Sequence, residues 1–259
     1  MIGVFDSGVG GLSVLNEIRR EMPSADLLYL SDQAPAPYGV RTLGEVAEMT
    51  EEASRWLLDR GATTIAIACN TASAAALHAL RADHPDVTFV GMEPAVKPAV
   101  LSSATGVIGV VATAATFQGE LFASVLQRHA TGATVLTRAC PRWVELVERA
   151  EVEGPEARRQ VTACLAPILD GGADTLVLGC THFPFLVPLI EDVAGPGVRI
   201  VDPAPAVARQ VRRVASDTGG SGRLTLATSG EPERFRQVAR EVAGIEALEP
   251  VLACNWNDS

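Results

Sequence analysis

The sequence predicts an α/β protein built from two similar parallel-sheet α/β domains that face each other across a pseudo-symmetric cleft. Three observations predict it. Short apolar runs alternate with amphipathic segments along the chain, the pattern of a parallel sheet with helices on its faces. Two stretches, TTIAIACNTASAAALHAL (63–80) and DTLVLGCTHFPFLVPLI (174–190), each lead an apolar strand into a cysteine, polar residues and a helix-like segment. VIGVVATAATF (107–117) parallels the opening MIGVFDSGVGGL, with Ala112 and Thr113 in the places of Asp6 and Ser7. Cys69 and Cys180 follow these two openings at similar spacings, so the chain reads as two related halves with one thiol each.

In chain order, Ile2 to Phe5 is a strand, and the glycines of Asp6-Ser7-Gly8-Val9-Gly10-Gly11 permit the tight reversal into a helix through Leu12, Leu15 and Ile18. Leu27 to Leu30 is the next strand, followed by SDQAPAPYG, whose prolines forbid helix. Leu43, Val46, Ala47, Ala53, Trp56 and Leu57 recur at three- and four-residue steps, an amphipathic helix that stops at Gly61. Strand 63–68, helix 72–82 and strand 87–90 complete the first domain, 1–92. GMEPAVKPA (91–99) reads as a crossing into the second domain, 93–205. That half continues with strand 133–138, a helix from Pro141 to about Ala150, and a helix from Pro155 to Asp170 in which Pro167 should kink the last turn. Strand 198–201 and a helix from about Val207 lead to the loop SDTGGSG (216–222), strand 223–228 and helix 231–243. The segment 206–259 is expected to return to the first domain.

Bulk composition narrows the function. A net charge of −10 over 259 residues argues against a nucleic-acid partner, which requires clustered Lys and Arg. No segment approaches the ~18 to 20 apolar residues of a membrane span and no basic leader opens the chain, so a cytoplasmic location is expected. Five cysteines with no close C-x-x-C pair fit neither a disulfide scaffold nor a zinc ribbon, and all five read as reduced thiols. No metal is expected. Lys97 is the only lysine and lies between Pro94 and Pro98, a poor setting for a pyridoxal phosphate Schiff base. The GVGG loop lacks the third glycine of a dinucleotide fingerprint, and no P-loop occurs.

Two thiols at matching strand ends invite two-base chemistry, in which one thiolate removes a proton from carbon and the opposite thiol protonates the other face. A thiol titrates near ~8.5 and each unit of depression needs ~1.4 kcal/mol, whereas a helix N-terminus supplies ~0.3 to 1 kcal/mol. Other groups must assist: Asp6 lies in the half that holds Cys69, and His182 follows Cys180 by two residues. A carboxylate beside a thiol raises its pKa, so Asp6 would accept or relay a proton. Alone, a cysteine that closes an apolar strand is more often a buried hydrophobe, and Asp6 could be a turn former. His78, His84, His129, Cys140, Cys164 and Cys254 read as structural. Two competing readings are a hydrolase using Cys180 and His182, and a regulatory module that binds an acidic amino acid.

FDSGVGGLSVL (5–15), PYG (37–39), ACNTAS (68–73), MEPAVKPA (92–99), ACPRWVELVE (139–148) and LGCTHFPFL (178–186) together resemble the glutamate racemases of the aspartate/glutamate racemase family. The resemblance implies cofactor-independent interconversion of L- and D-glutamate, D-glutamate for peptidoglycan, and a homodimer. It implies catalytic roles for Cys69, Cys180, Asp6, His182 and Glu148. Substrate contacts are implied at Asp6, Ser7, Tyr38, Gly39, Asn70, Thr71, Thr181 and His182. Aspartate racemases also use two cysteines, but DSGVGG and CNTAS favour glutamate.

Overall fold

The structure is a computed structural model that describes residues 1–215, 219–246, 249–254 and 256. The expected loop at 216–222 is described from residue 219 onward, and 216–218 lie outside the described residues.

Strands β1 (Ile2–Asp6), β2 (Leu27–Ser31), β3 (Thr64–Ile67) and β4 (Thr88–Val90) pair in parallel with β1 central. Helices α1 (Leu12–Glu21), α2 (Leu43–Asp59) and α3 (Asn70–Asp83) connect them. Every residue of β1, β2 and β3 is buried, as expected of strands covered on both faces. Helix α2 starts where it does because Thr42 and Glu45 form a reciprocal capping box, and it buries Val46, Ala53, Trp56 and Leu57.

The crossing is shorter than expected, because α4 (Val96–Ser102) begins inside it. Pro98 falls in the first turn of that helix, where its missing N–H has no intrahelical partner to lose. Strand β5 (Val107–Ala112) then opens the second half, with α5 (Ala114–Gln118) and α6 (Glu120–His129) leading to β6 (Thr134–Ala139). Helices α7 (Pro141–Glu148) and α8 (Gly154–Asp170) precede β7 (Thr175–Gly179); α9 (Val187–Ala194) and β8 (Arg199–Val201) follow it. The second sheet has the order β6-β5-β7-β8 and the first contains β2-β1-β3-β4, so the two halves share one topology.

Helix α10 (Ala204–Val214) starts three residues earlier than expected and packs on α1, where Arg212 pairs with Glu21 at 3.1 Å. Strand β9 (Leu224–Thr228) adds to the first sheet beside β2, α11 (Pro232–Ala243) follows, and β10 (Leu252–Ala253) pairs with β9. One apolar core runs from β1 and α1 through Val9 to Trp143, Phe183 and Leu186 of the second half. Trp143 and Phe183 meet edge to face at 4.8 Å. Among the described residues, no helix is long and apolar enough to cross a membrane.

The expectation of five reduced thiols is wrong for one pair. Cys140 caps α7 and Cys164 lies on α8, and the packing of these helices brings their Cα atoms to 6.1 Å, where they are joined as a disulfide. Sequence spacing hid the pair because its partners are 24 residues apart and meet only through tertiary packing. Cys69, Cys180 and Cys254 are not disulfide-bonded. Thiol titration of the denatured protein should therefore find three reactive thiols without reductant and five after reduction; five at the outset would refute the bond.

Candidate active site

Strand register makes the two halves equivalent at the cleft. Phe5 pairs with Ile67 and Ala112 with Gly179, which sets Ser7 beside Cys69 and Thr113 beside Cys180 at the carboxyl ends of their sheets. Ligands bind open α/β sheets at this edge. Both thiols are buried and line one cavity of about 180 Å³, together with Ser7, Tyr38, Gly39, Asn70, Thr71, Thr113, Thr181 and His182.

The Cys69 side is uncharged at the sulfur. Cys69 caps α3: its Sγ accepts the Ala72 N–H at 3.4 Å and lies 3.5 Å from Ser7 Oγ. Burial, then the nearby Asp6 charge, pushes its thiol up to about 12. Asp6 itself is fully buried, and burial raises its carboxyl to about 6 against the opposing effects of His182, the Gly8 N–H and Thr181. The hydrogen bonds of Asp6 differ from the expected pairing with Cys69. Oδ1 accepts the Gly8 N–H at 2.8 Å, and Oδ2 accepts the Thr181 hydroxyl at 2.9 Å from the opposite half.

The Cys180 side is charged. His182 Nδ1 lies 3.6 Å from Cys180 Sγ, and Nε2 lies 2.7 Å from Glu148 Oε1. Burial opposes the imidazolium, but hydrogen bonds to Cys180 and Glu148 overcome it and hold His182 well above its ordinary pKa. Burial likewise works to raise Glu148, yet His182, the Val9 N–H and Gln33 outweigh it and keep its carboxyl below the usual range.

Thr71 Oγ1 lies 2.9 Å from Thr113 Oγ1, which joins the halves across the cavity, and Thr116 completes this hydroxyl cluster. The Tyr38 hydroxyl is committed to Asp32 at 2.6 Å. Asn70 is 3% exposed, and neither its amide nitrogen nor its oxygen has a partner among the described residues. An orphaned carboxamide on the wall of a cavity points to a polar ligand, because leaving both ends unbonded is costly.

All of the expected site residues except Asp6 and Glu148 line this cavity, and those two bond to Thr181 and His182, which do. Sequence reading missed Thr113, Thr116, Asp32 and Gln33. Thr113 was the most accessible of these, since it stands where Ser7 stands in the other half. Among the described residues, no group of three or more His, Cys, Asp or Glu is placed to hold a metal.

Two thiols presented from opposite halves to one buried cavity, one beside a cation and the other neutral, define the class of site that can exchange a proton at both faces of a single carbon. The chain belongs to the Asp/Glu/hydantoin racemase family, whose sequence profile matches residues 2–211. It is 47% identical over 241 residues to a glutamate racemase of Roseiflexus, covering 90% of this chain and 89% of that protein. It is 44% identical to one from Pseudomonas aeruginosa, with 92% and 91% covered. The glutamate racemase structure of Bacillus anthracis superposes with a TM-score of 0.88 at 30% identity, covering 98% and 97%. That of Escherichia coli, crystallised with L-glutamate and the activator UDP-MurNAc-ala, gives 0.87 at 31% identity, covering 98% of each chain. The expected two-domain parallel α/β fold is thus borne out.

The glycine loop is tight for want of space. A Cβ on Gly8 would overlap Glu148 Oε1, and one on Gly10 would lie 2.5 Å from Thr181 Oγ1 and against the His182 ring. Gly44, by contrast, has open space in the first turn of α2. Gly10→Ala is expected to lower stability by ~1 to 3 kcal/mol and Gly44→Ala to raise it by ~0.4 to 1 kcal/mol, both read by urea unfolding. Equal effects at the two positions would contradict this account.

Proposed function

We propose that the protein is a glutamate racemase that uses Cys69 and Cys180 as its two bases and needs no cofactor. The observation that carries the reading is the pair of free thiols at equivalent strand ends on one buried cavity. Family membership supports glutamate as the substrate, with D-glutamate feeding peptidoglycan in the cytoplasm and a homodimer as the working form.

One thiolate takes the α-proton, so the Cα–H bond breaks and its electron pair delocalises onto the α-carboxylate. The opposite thiol then gives its proton to the other face, forming a new Cα–H bond of inverted configuration. Each turnover exchanges the protonation states of the two sulfurs. The α-proton is far less acidic than a thiol, so stabilising the developing negative charge matters more than thiol basicity. Asn70, the threonine hydroxyls and the N-terminus of α3 are the donors available for that charge and for the side-chain carboxylate. Asp6 and His182 move protons to and from the thiols; the raised Asp6 carboxyl suits a relay near neutral pH.

The line Cys180–His182–Glu148 also has the order of a nucleophile, base and orienter, which favours the hydrolase as a second reading. That reading leaves Cys69 without a task.

Incubation with L-glutamate in D2O without added cofactor should give loss of optical rotation together with α-deuterium uptake. Cys69→Ser and Cys180→Ser should each reduce the rate by about 100-fold or more. A covalent acyl-enzyme and indifference to Cys69→Ser would establish the hydrolase instead. Because Asp6 acts as a carboxylate and its folded pKa is about 6, kcat/KM should fall as pH drops through about 6. The Asp6→Asn variant should lack that limb, and its persistence there would assign the limb to another group.

A further inference from the structure

Glu148 has a third donor, which comes from the stretch SDQAPAPYG. Gln33 Nε2 donates to Glu148 Oε2 at 2.9 Å, while Gln33 Oε1 accepts the Thr228 hydroxyl at 3.1 Å. The direction of this chain is fixed at both ends. Thr228 Oγ1 accepts the Gly230 N–H at 3.0 Å, which leaves its own proton for Gln33. A reversed carboxamide would set its oxygen against a carboxylate. Thr228 is fully buried at the end of β9, so the anchor is rigid. From it the order runs Thr228, Gln33, Glu148, His182, Cys180, without a gap.

We infer that Gln33 is a positioning residue: its carboxamide, anchored by the C-terminal strand, aims the Glu148 carboxylate at His182 and so controls proton movement on the Cys180 side. This rests on the two-thiol reading. The other charged or titratable groups facing Glu148 are Asp6, His182 and Tyr29 within the site. Glu145, Arg149, Glu231 and Arg234 surround the wider opening of about 380 Å³ onto which Glu148 and Gln33 both face. Water entering there can partly replace a lost amide donor. The expected effect is therefore a reduced rate, not its abolition.

The test compares wild type with Gln33→Leu and Gln33→Glu by carbon-13 NMR of the Glu148 carboxyl, assigned through Glu148→Gln, and by the pH profile of racemisation. Gln33→Leu removes a donor to the charged carboxylate, so the Glu148 carboxyl should titrate at higher pH. Its kcat/KM should fall about tenfold, equally in both directions because the equilibrium constant of a racemisation is one. In Gln33→Glu the introduced carboxyl repels Glu148 when ionised and donates to it when protonated. Activity relative to wild type should therefore recover as pH falls, a reversal that a merely structural role would not give. Melting temperatures near that of wild type would confirm that folding is intact. An unchanged Glu148 titration and pH profile in Gln33→Leu would overturn the inference. If wild type itself fails to racemise glutamate, the functional reading fails, and the carboxyl titration still decides whether Gln33 controls Glu148.

Discussion

The carboxylate of Glu148 is the group on which the cleft depends. It comes from the end of α7 in the second half, yet Oε1 accepts the backbone N–H of Val9 in the first half at 2.8 Å. The same oxygen meets His182, and Oε2 meets Gln33. A half-buried carboxylate with three donors is held firmly ionised, since each donor bonds the charged form. Its approach to the glycine loop is possible only because residue 8 has no side chain to fill the space. Loop, second thiol and domain apposition are therefore fixed by one interaction. Beneath it the shared apolar core through Val9, Trp143 and Phe183 supplies the burial that keeps the halves together.

The two halves bring the same strand order and register to the site, and the side chains break that likeness. The matching registers of the two sheets make Asp6 correspond to Ala112, Ser7 to Thr113, Asn70 to Thr181 and Thr71 to His182. The substitutions change the electrostatics at the two sulfurs. Cys69 sits in a buried place near a carboxylate and stands as a neutral thiol, whereas Cys180 sits beside an imidazolium compensated by Glu148. A two-base reaction needs one proton donor and one acceptor at each encounter, and a perfectly symmetric site would start with two alike. Asp6 also bonds to Thr181 across the cleft, so the charge on one wall is felt on the other.

Much of this was legible in the sequence because it is local. The apolar runs that end at Cys69 and Cys180, and the repeat of MIGVFDSGVGGL at 107–117, announced two sheets and the places of both thiols. The features that were not legible depend on packing. Cys140 and Cys164 are joined because α8 folds back on α7, and no spacing rule relates them. Asp6 shares a half with Cys69 in the chain, but its hydrogen bonds come from Gly8 and, across the cleft, from Thr181. SDQAPAPYG carries the grammar of a turn, and nothing in that grammar shows that Asp32 and Gln33 look in two useful directions. Helix α4 was hidden by its prolines, of which only Pro98 falls inside it.

Those two residues explain why the C-terminal segment returns to the first sheet beside β2, the strand that leads into this turn. Ser229 donates to Asp32, and Asp32 accepts the Tyr38 hydroxyl on the wall that carries Cys69. Thr228, the preceding residue, donates to Gln33, which reaches Glu148 on the wall that carries Cys180. Burial raises Asp32, partly offset by the hydroxyls of Ser229 and Tyr38, so its bonds are made in a largely dry setting where losing a partner is costly. A strand end held in a parallel sheet cannot shift without breaking its ladder. By ending β9 here, the fold braces both walls of the cleft from adjacent residues, and Thr228 and Ser229 become part of the site without lining the thiol cavity.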